Sequence, residues 1–121
     1  NRTAGIRIPI SGSEARRIEN RLAGMDCNPY LGIAASLLCG YLGIKEELRP
    51  AKRQKGDAYE GENLIPRLMG EALDNFDAAP KLHALLGEEF SRVYSAIKRA
   101  EYDEFLQVIS PWEREHLLMN V

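Results

Sequence analysis

Ile6, Ile8 and Ile10 alternate with Gly5, Arg7 and Pro9. Successive side chains on a strand point to opposite faces, so this period of two predicts a half-buried strand over Gly5 to Ile10. Ser11, Gly12 and Ser13 supply a turn. From Ala15 to Leu22 the alternation resumes, with Ile18 and Leu22 facing one way and Arg17, Glu19 and Arg21 the other. The pair reads as a β-hairpin.

Beyond the hairpin the period changes to that of a helix. Asn28 followed by Pro29 is a helix start: a capping side chain, then a proline at the first position, where its missing N–H costs nothing. Leu31, Ala34, Ala35, Leu38, Tyr41 and Leu42 recur at helical spacing up to about Leu48, and Pro50 ends the run. So apolar a helix should be buried, with Gly32, Gly40 and Gly43 allowing close approach to a neighbouring element. Ala51 to Asn63 is polar and reads as an exposed loop. Pro66 opens a short helix carrying Leu68, Met69, Ala72, Leu73 and Phe76, and Pro80 opens another that ends at Gly87. Phe90, Val93, Tyr94, Ile97, Phe105 and Val108 outline a long amphipathic helix from Glu88. Ser110-Pro111-Trp112-Glu113 is a capping box that starts a last helix, with Trp112 as a core anchor. The fold class is α+β: a hairpin over residues 1–22, taken as part of a larger sheet, then a mostly helical segment over 28–121.

A chain of 121 residues falls within the size of one small domain. It opens at Asn1 without an initiator Met and runs directly into a strand, as an excised piece of a longer protein would. The apolar and charged shares are those of a globular protein. The longest apolar stretch, Leu31 to Ile44, is too short and too interrupted to cross a bilayer, so no membrane role is expected. Cys27 and Cys39 form no metal-binding spacing and read as buried, reduced thiols, consistent with a cytoplasmic protein.

The net charge of −2 conceals an asymmetry, because the first 21 residues hold five arginines (Arg2, Arg7, Arg16, Arg17, Arg21) against Glu14 and Glu19. Guanidinium is a planar fork that grips phosphate or carboxylate through two hydrogen bonds. On a strand, Arg17, Glu19 and Arg21 stand on one face at a spacing of roughly 7 Å. If Arg7 shares that face, three guanidinium groups surround one carboxylate. That set suits a polyanion accompanied by a divalent metal, the arginines on phosphate oxygens and the carboxylate on the metal. Periodicity alone equally describes a solvated ladder of ion pairs, which is the plainer reading. Nucleic acid is disfavoured as a partner, since the basic stretch is short and no recognition helix follows. His83 and His116 lack companion ligands and read as surface and interface residues.

Asn1-Arg2-Thr3-Ala4-Gly5-Ile6-Arg7-Ile8-Pro9, followed by Ala15-Arg16-Arg17-Ile18-Glu19-Asn20-Arg21, resembles the arginine-rich active-site hairpin of the glutamine synthetase family, class-one bacterial type. Asn28-Pro29-Tyr30-Leu31 with Ala34-Ala35 and Gly40 resembles the helix that follows it there. The resemblance implies that residues 1–121 are the carboxy-terminal portion of the catalytic domain of an ATP-dependent ligase. In that family ATP phosphorylates the γ-carboxylate of glutamate, and ammonia or a small amine then displaces phosphate to give a γ-glutamyl amide.

The resemblance also implies roles for single residues. Arg2 would contact the γ-phosphate and glutamate as a catalytic and ATP-binding residue. Arg7 and Arg17 would bind the ATP phosphates, and Arg21 the glutamate carboxylate. Glu19 would ligate a Mg²⁺ or Mn²⁺ ion. It further implies a homo-oligomer of two stacked hexameric rings, with Leu117, Leu118 and Met119 suited to a contact across the rings. The turn Gly12-Ser13-Glu14 lacks the basic residue of many ammonia-using members. The link Leu22 to Cys27, the Ala58-Tyr59-Glu60 loop and Trp112-Glu113-Arg114-Glu115 look more like the γ-glutamyl-polyamine branch. The chain alone should be inactive, since it offers one candidate metal ligand. The competing reading is a stand-alone helical module that binds an anion or a partner without catalysis.

Overall fold

A computed structural model describes residues 2–61 and 64–119; Asn1 and the loop end at Asn63 lie outside them. The elements are β1 (Ile6–Arg7), β2 (Glu19–Asn20), α1 (Pro29–Lys45), α2 (Met69–Asp77), α3 (Pro80–Leu86), α4 (Glu88–Leu106) and α5 (Pro111–His116), with single 3₁₀ turns at Ser13–Ala15 and Ala58–Glu60. A small antiparallel sheet followed by helices is the α+β class that the sequence pattern indicates. No helix among the described residues is long and apolar enough to cross a membrane. The chain divides into two compact units, Asn1–Ile65 and Pro66–Val121.

In the first unit the hairpin is much shorter than the alternation predicts. Ile6 pairs with Asn20 and Arg7 with Glu19, and one flanking bond from Arg21 N–H to the Gly5 carbonyl (2.8 Å) extends the ladder. Pro9 has no N–H to give to a ladder, and Ala15 is taken up by the 3₁₀ turn. Nor is the strand half-buried: Ile6, Ile8 and Ile10 are all exposed, Ile10 at 94%. Gly5 lets the Leu22 side chain lie close against the base of the hairpin, where an added Cβ would push it aside.

Helix α1 begins as its sequence dictates, with Asn28 Oδ1 accepting from the N–H groups of Tyr30 (3.0 Å) and Leu31 (3.3 Å). It ends in a Schellman motif at Glu47, the C′ residue, whose φ is 51°. Glu47 N–H reaches the Ile44 carbonyl at 3.2 Å and Leu48 N–H the Gly43 carbonyl at 2.9 Å. The helix stops at Lys45, short of Leu48, and it contains no buried residue. Its expected burial is thus corrected: Tyr30, Ile33, Leu37, Tyr41 and Ile44, spaced three or four apart, form an exposed apolar stripe. Gly32 does face a neighbour, Cys27 Sγ at 3.3 Å from a Cβ position, but Gly40 and Gly43 look onto open space. Cys27 and Cys39 are free and exposed, not buried, since they flank or lie on this uncovered helix.

The second unit is built on α4. Among the described residues, Leu73 of α2, 5% exposed, is the buried hydrophobic residue, and Ser91 and Ser95 of α4 are buried as well. Phe76 sets its ring edge-on to Tyr94 (centroids 5.6 Å) and against His83 (4.8 Å). Gly70 lets α2 approach Tyr102, whose ring edge would lie 3.3 Å from an added Cβ. Arg99 of α4 ties down α2 through Asp74 (2.8 Å) and Asp77 (2.6 Å). Helix α2 starts at Met69, three residues after Pro66, where no side chain caps it and the Glu71 carboxylate instead accepts from Arg67 N–H (3.2 Å). Gly87, with φ of 98°, turns α3 into α4. The capping box of α5 forms as the sequence indicates, Ser110 N–H to Glu113 Oε2 (2.7 Å) and Glu113 N–H to Ser110 Oγ (3.2 Å). Trp112 is no core anchor: it is 60% exposed and stacks on His116 one helical turn away (4.8 Å).

Candidate functional site

The register Arg7 opposite Glu19 places both side chains on one face of the ladder, and alternation brings Arg17 and Arg21 to that face as well. Arg7 Nη1 lies 3.0 Å from Glu19 Oε2. Arg17 Nη2 lies 3.4 Å from Oε1, and Arg21 Nη2 lies 3.4 Å from Oε2. Three guanidinium groups therefore converge on one carboxylate from three positions of a short hairpin. Arg16, of the other parity, and Arg2, ahead of β1, are exposed and do not join the cluster.

The Glu19 carboxyl titrates below the usual carboxylate range. The main cause is the hydrogen bond from Arg7, helped by the charges of Arg7 and Arg17 and the bond from Arg21, and partly opposed by desolvation. The carboxylate is an anion at neutral pH, and three guanidinium groups stand about it. Such a face attracts a polyanion and repels a bare cation. Glu19 is 28% exposed at its side chain, so a ligand can reach it.

Among the described residues, no group of three or more His, Cys, Asp or Glu side chains could hold a metal ion. The donor set fits one role for a metal. Mg²⁺ is characteristically held by one or two carboxylates together with substrate phosphates, and Glu19 can supply one carboxylate beside arginines suited to phosphates.

Two polar residues with no obvious function in the sequence support this face. Asn20 Nδ2 donates to Ser36 Oγ of α1 (2.9 Å), Ser36 Oγ donates to the Gly32 carbonyl (2.8 Å), and Asn20 Oδ1 accepts from Leu22 N–H (2.9 Å). In the sequence Ser36 reads only as a polar break in an apolar run. Its position eight residues after the capping Asn28, two turns along the helix, was the available signal. Thr3 Oγ1 accepts from Ala58 N–H (2.8 Å), tying the loop around Tyr59 to the start of the hairpin.

At the coarse level the chain is an α+β protein whose hairpin gathers three arginines about one carboxylate. The comparison with known proteins makes the class specific. The family model described as "Glutamine synthetase, catalytic domain" matches residues 1–117. Over 99% of its length the chain is 38% identical to the γ-glutamylputrescine synthetase of Escherichia coli (strain K12), of which it covers 26%. It is 32% identical over 98% of its length to a glutamine synthetase of Halobacterium salinarum, covering 28% of it. Against the glutamate–isopropylamine ligase of a Pseudomonas species it is 34% identical over 93%, covering 26%. The chain belongs to the glutamine synthetase family, and it spans about a quarter of the length of the curated relatives it matches.

Proposed function

We propose that the chain is the carboxy-terminal portion of the catalytic domain of an ATP-dependent glutamate–amine ligase, and that its hairpin forms the phosphate side of the active site. The observation that carries this reading is the convergence of Arg7, Arg17 and Arg21 on Glu19, in a chain whose family and relatives are synthetases and ligases of this kind. Phosphoryl transfer depends on positioning and on neutralising the charge of the phosphoryl oxygens. Arg7 and Arg17 would neutralise the ATP phosphates, and Arg2, exposed ahead of β1, would reach the γ-phosphate and glutamate. Arg21 would hold the glutamate carboxylate.

A divalent ion held in part by Glu19 would supply positive charge to offset that of the transferred phosphoryl group. Glu19 would be the residue that holds it, and phosphates engaging Arg7, Arg17 and Arg21 would leave the Glu19 carboxylate free to do so. Glu19 should therefore take Mg²⁺ or Mn²⁺ together with the nucleotide. The product is a γ-glutamyl amide, reached through γ-glutamyl phosphate, with ammonia or a small amine such as putrescine as the nitrogen donor. A homo-oligomer of stacked rings in the cytoplasm completes the reading.

The test is phosphate release by the full-length enzyme supplied with ATP, Mg²⁺ and glutamate, with ammonia and putrescine compared as acceptors. Turnover with one of them is expected. Negligible turnover with both would sink the ligase reading.

A further inference from the structure

Regular strand amounts to two residues on each side of the hairpin, Ile6–Arg7 and Glu19–Asn20, with Arg7 and Glu19 on the charged face. A two-stranded ladder is marginal by itself, and this one is exposed, so something besides the ladder must fix where Glu19 and Arg21 point. Because neighbours on a strand project to opposite faces, Asn20 stands on the reverse of the charged face, on the side that meets α1. There its amide is used at both ends, giving a hydrogen to Ser36 Oγ and accepting one from Leu22 N–H.

We propose that Asn20 and Ser36 are positioning residues that clamp β2 onto α1 and so set the aim of Glu19 and Arg21; the proposal rests on the ligase reading above.

The requirement at each position is chemical. Residue 20 must present a donor and an acceptor at once, which Asn does and Asp or Leu does not. Residue 36 must accept from Asn20 while its own hydrogen goes to the Gly32 carbonyl, which a hydroxyl does and a methyl does not. Where Ser36 stands along α1 is fixed by the start of that helix, and the Asn28 cap fixes the start. The chain of control thus runs from the Asn28 cap through Ser36 and Asn20 to the backbone that bears Glu19 and Arg21. The same corner lines a shallow groove with Cys27, Gly32, Ile33 and Leu37, so both side chains are accessible to substitution without a dense core around them.

The full-length enzyme carrying Ser36→Ala, Ser36→Thr, Asn20→Ala and the double change Asn20→Ala/Ser36→Ala tests this. The readouts are KM for ATP, kcat, the dissociation constant of ADP with Mg²⁺ by calorimetry, and the unfolding midpoint. Loss of one positioning hydrogen bond in Ser36→Ala should raise KM and the ADP dissociation constant about five- to tenfold. Its kcat should change less, and its unfolding midpoint should stay near wild type. A folding defect would instead lower apparent kcat and leave KM alone. Ser36→Thr, which keeps the hydroxyl, should restore binding. The double variant should bind no worse than Asn20→Ala, because the two residues act through one bond. Wild-type ADP affinity in Ser36→Ala, equal impairment in Ser36→Thr, or multiplying effects in the double variant would overturn the clamp. Wild-type enzyme active with an amine, alongside any of those results, removes this proposal alone; an inactive wild type removes the ligase reading.

Discussion

Glu19 keeps its charge because Arg7 donates to it directly and Arg17 and Arg21 stand close by. Its carboxyl is lowered in the folded protein, so the stabilisation it contributes is full above the ordinary glutamate range and disappears as pH falls through the lower folded value. Asp77, held by Ser95 and Arg99, and Glu113, held by Ser110, are lowered too, so all three act with the same sign. The stabilisation contributed by these three groups should therefore be steady from pH 7 to about 5 and fade below about 4.5. It should be seen as a pH dependence of the unfolding midpoint that Glu19→Gln and Asp77→Asn reduce. Glu19→Gln keeps the shape of the residue and removes its charge. That variant should lose roughly a hundredfold or more of metal-dependent turnover, measured as phosphate release at saturating Mg²⁺; retention of the wild-type rate would remove Glu19 as a metal ligand. Glu47 offers a different test at this scale, since it holds a left-handed φ of 51° with a β-carbon. Glu47→Gly should stabilise by about 0.5–1 kcal/mol, the relief of strain being partly offset by the greater freedom of unfolded glycine. Chemical denaturation at constant m-value would show it.

Among the elements, α2 packs on α4 through its buried anchor Leu73, and its outer edge is the Arg99 pair with Asp74 and Asp77. Leu73→Ala should cost about 2–5 kcal/mol, as for other large-to-small changes in a packed site. The exposed pair Arg99 and Asp74 should cost under about 1 kcal/mol. Comparing the denaturation midpoints of Leu73→Ala and Asp74→Ala checks the ranking. Elements announced by caps were legible in the sequence. Asn28-Pro29, Pro80 to Gly87, and the Ser110 to Glu113 box all form where their local chemistry puts them, because a cap is satisfied within a few residues. Periodicity was a poorer guide to extent and burial. The alternation over Ile6, Ile8 and Ile10 shows which residues share a face, which is why Arg7, Arg17, Glu19 and Arg21 meet, but not how far the ladder runs past Pro9. The position of Ser36 two turns into α1 could be counted from its cap, but its hydrogen bond with Asn20 could not be read, because it joins residues of different periodicities across a loop.

For the whole molecule the decisive feature is what remains uncovered. Leu73, the buried hydrophobic residue among those described, lies in the second unit. The first unit exposes Ile6, Ile8, Ile10, Ile18, Leu22, Ile33, Leu37, Tyr41 and Ile44. Burial of apolar surface is the main force that balances chain entropy, and a unit that buries so little of it gains little from folding alone. Under the ligase reading, the remaining three-quarters of a chain as long as its relatives would supply the cover. The physical consequence is that residues 1–121, expressed alone, should bind a hydrophobic dye strongly and self-associate at micromolar concentration, and should release no phosphate from ATP with either amine. The full-length enzyme should bind the dye weakly. A monomeric chain of residues 1–121 with a sharp cooperative unfolding transition and little dye binding would contradict this, and would favour the stand-alone anion-binding module, whose stability would then have to come from the hairpin ion pairs and the α4 packing.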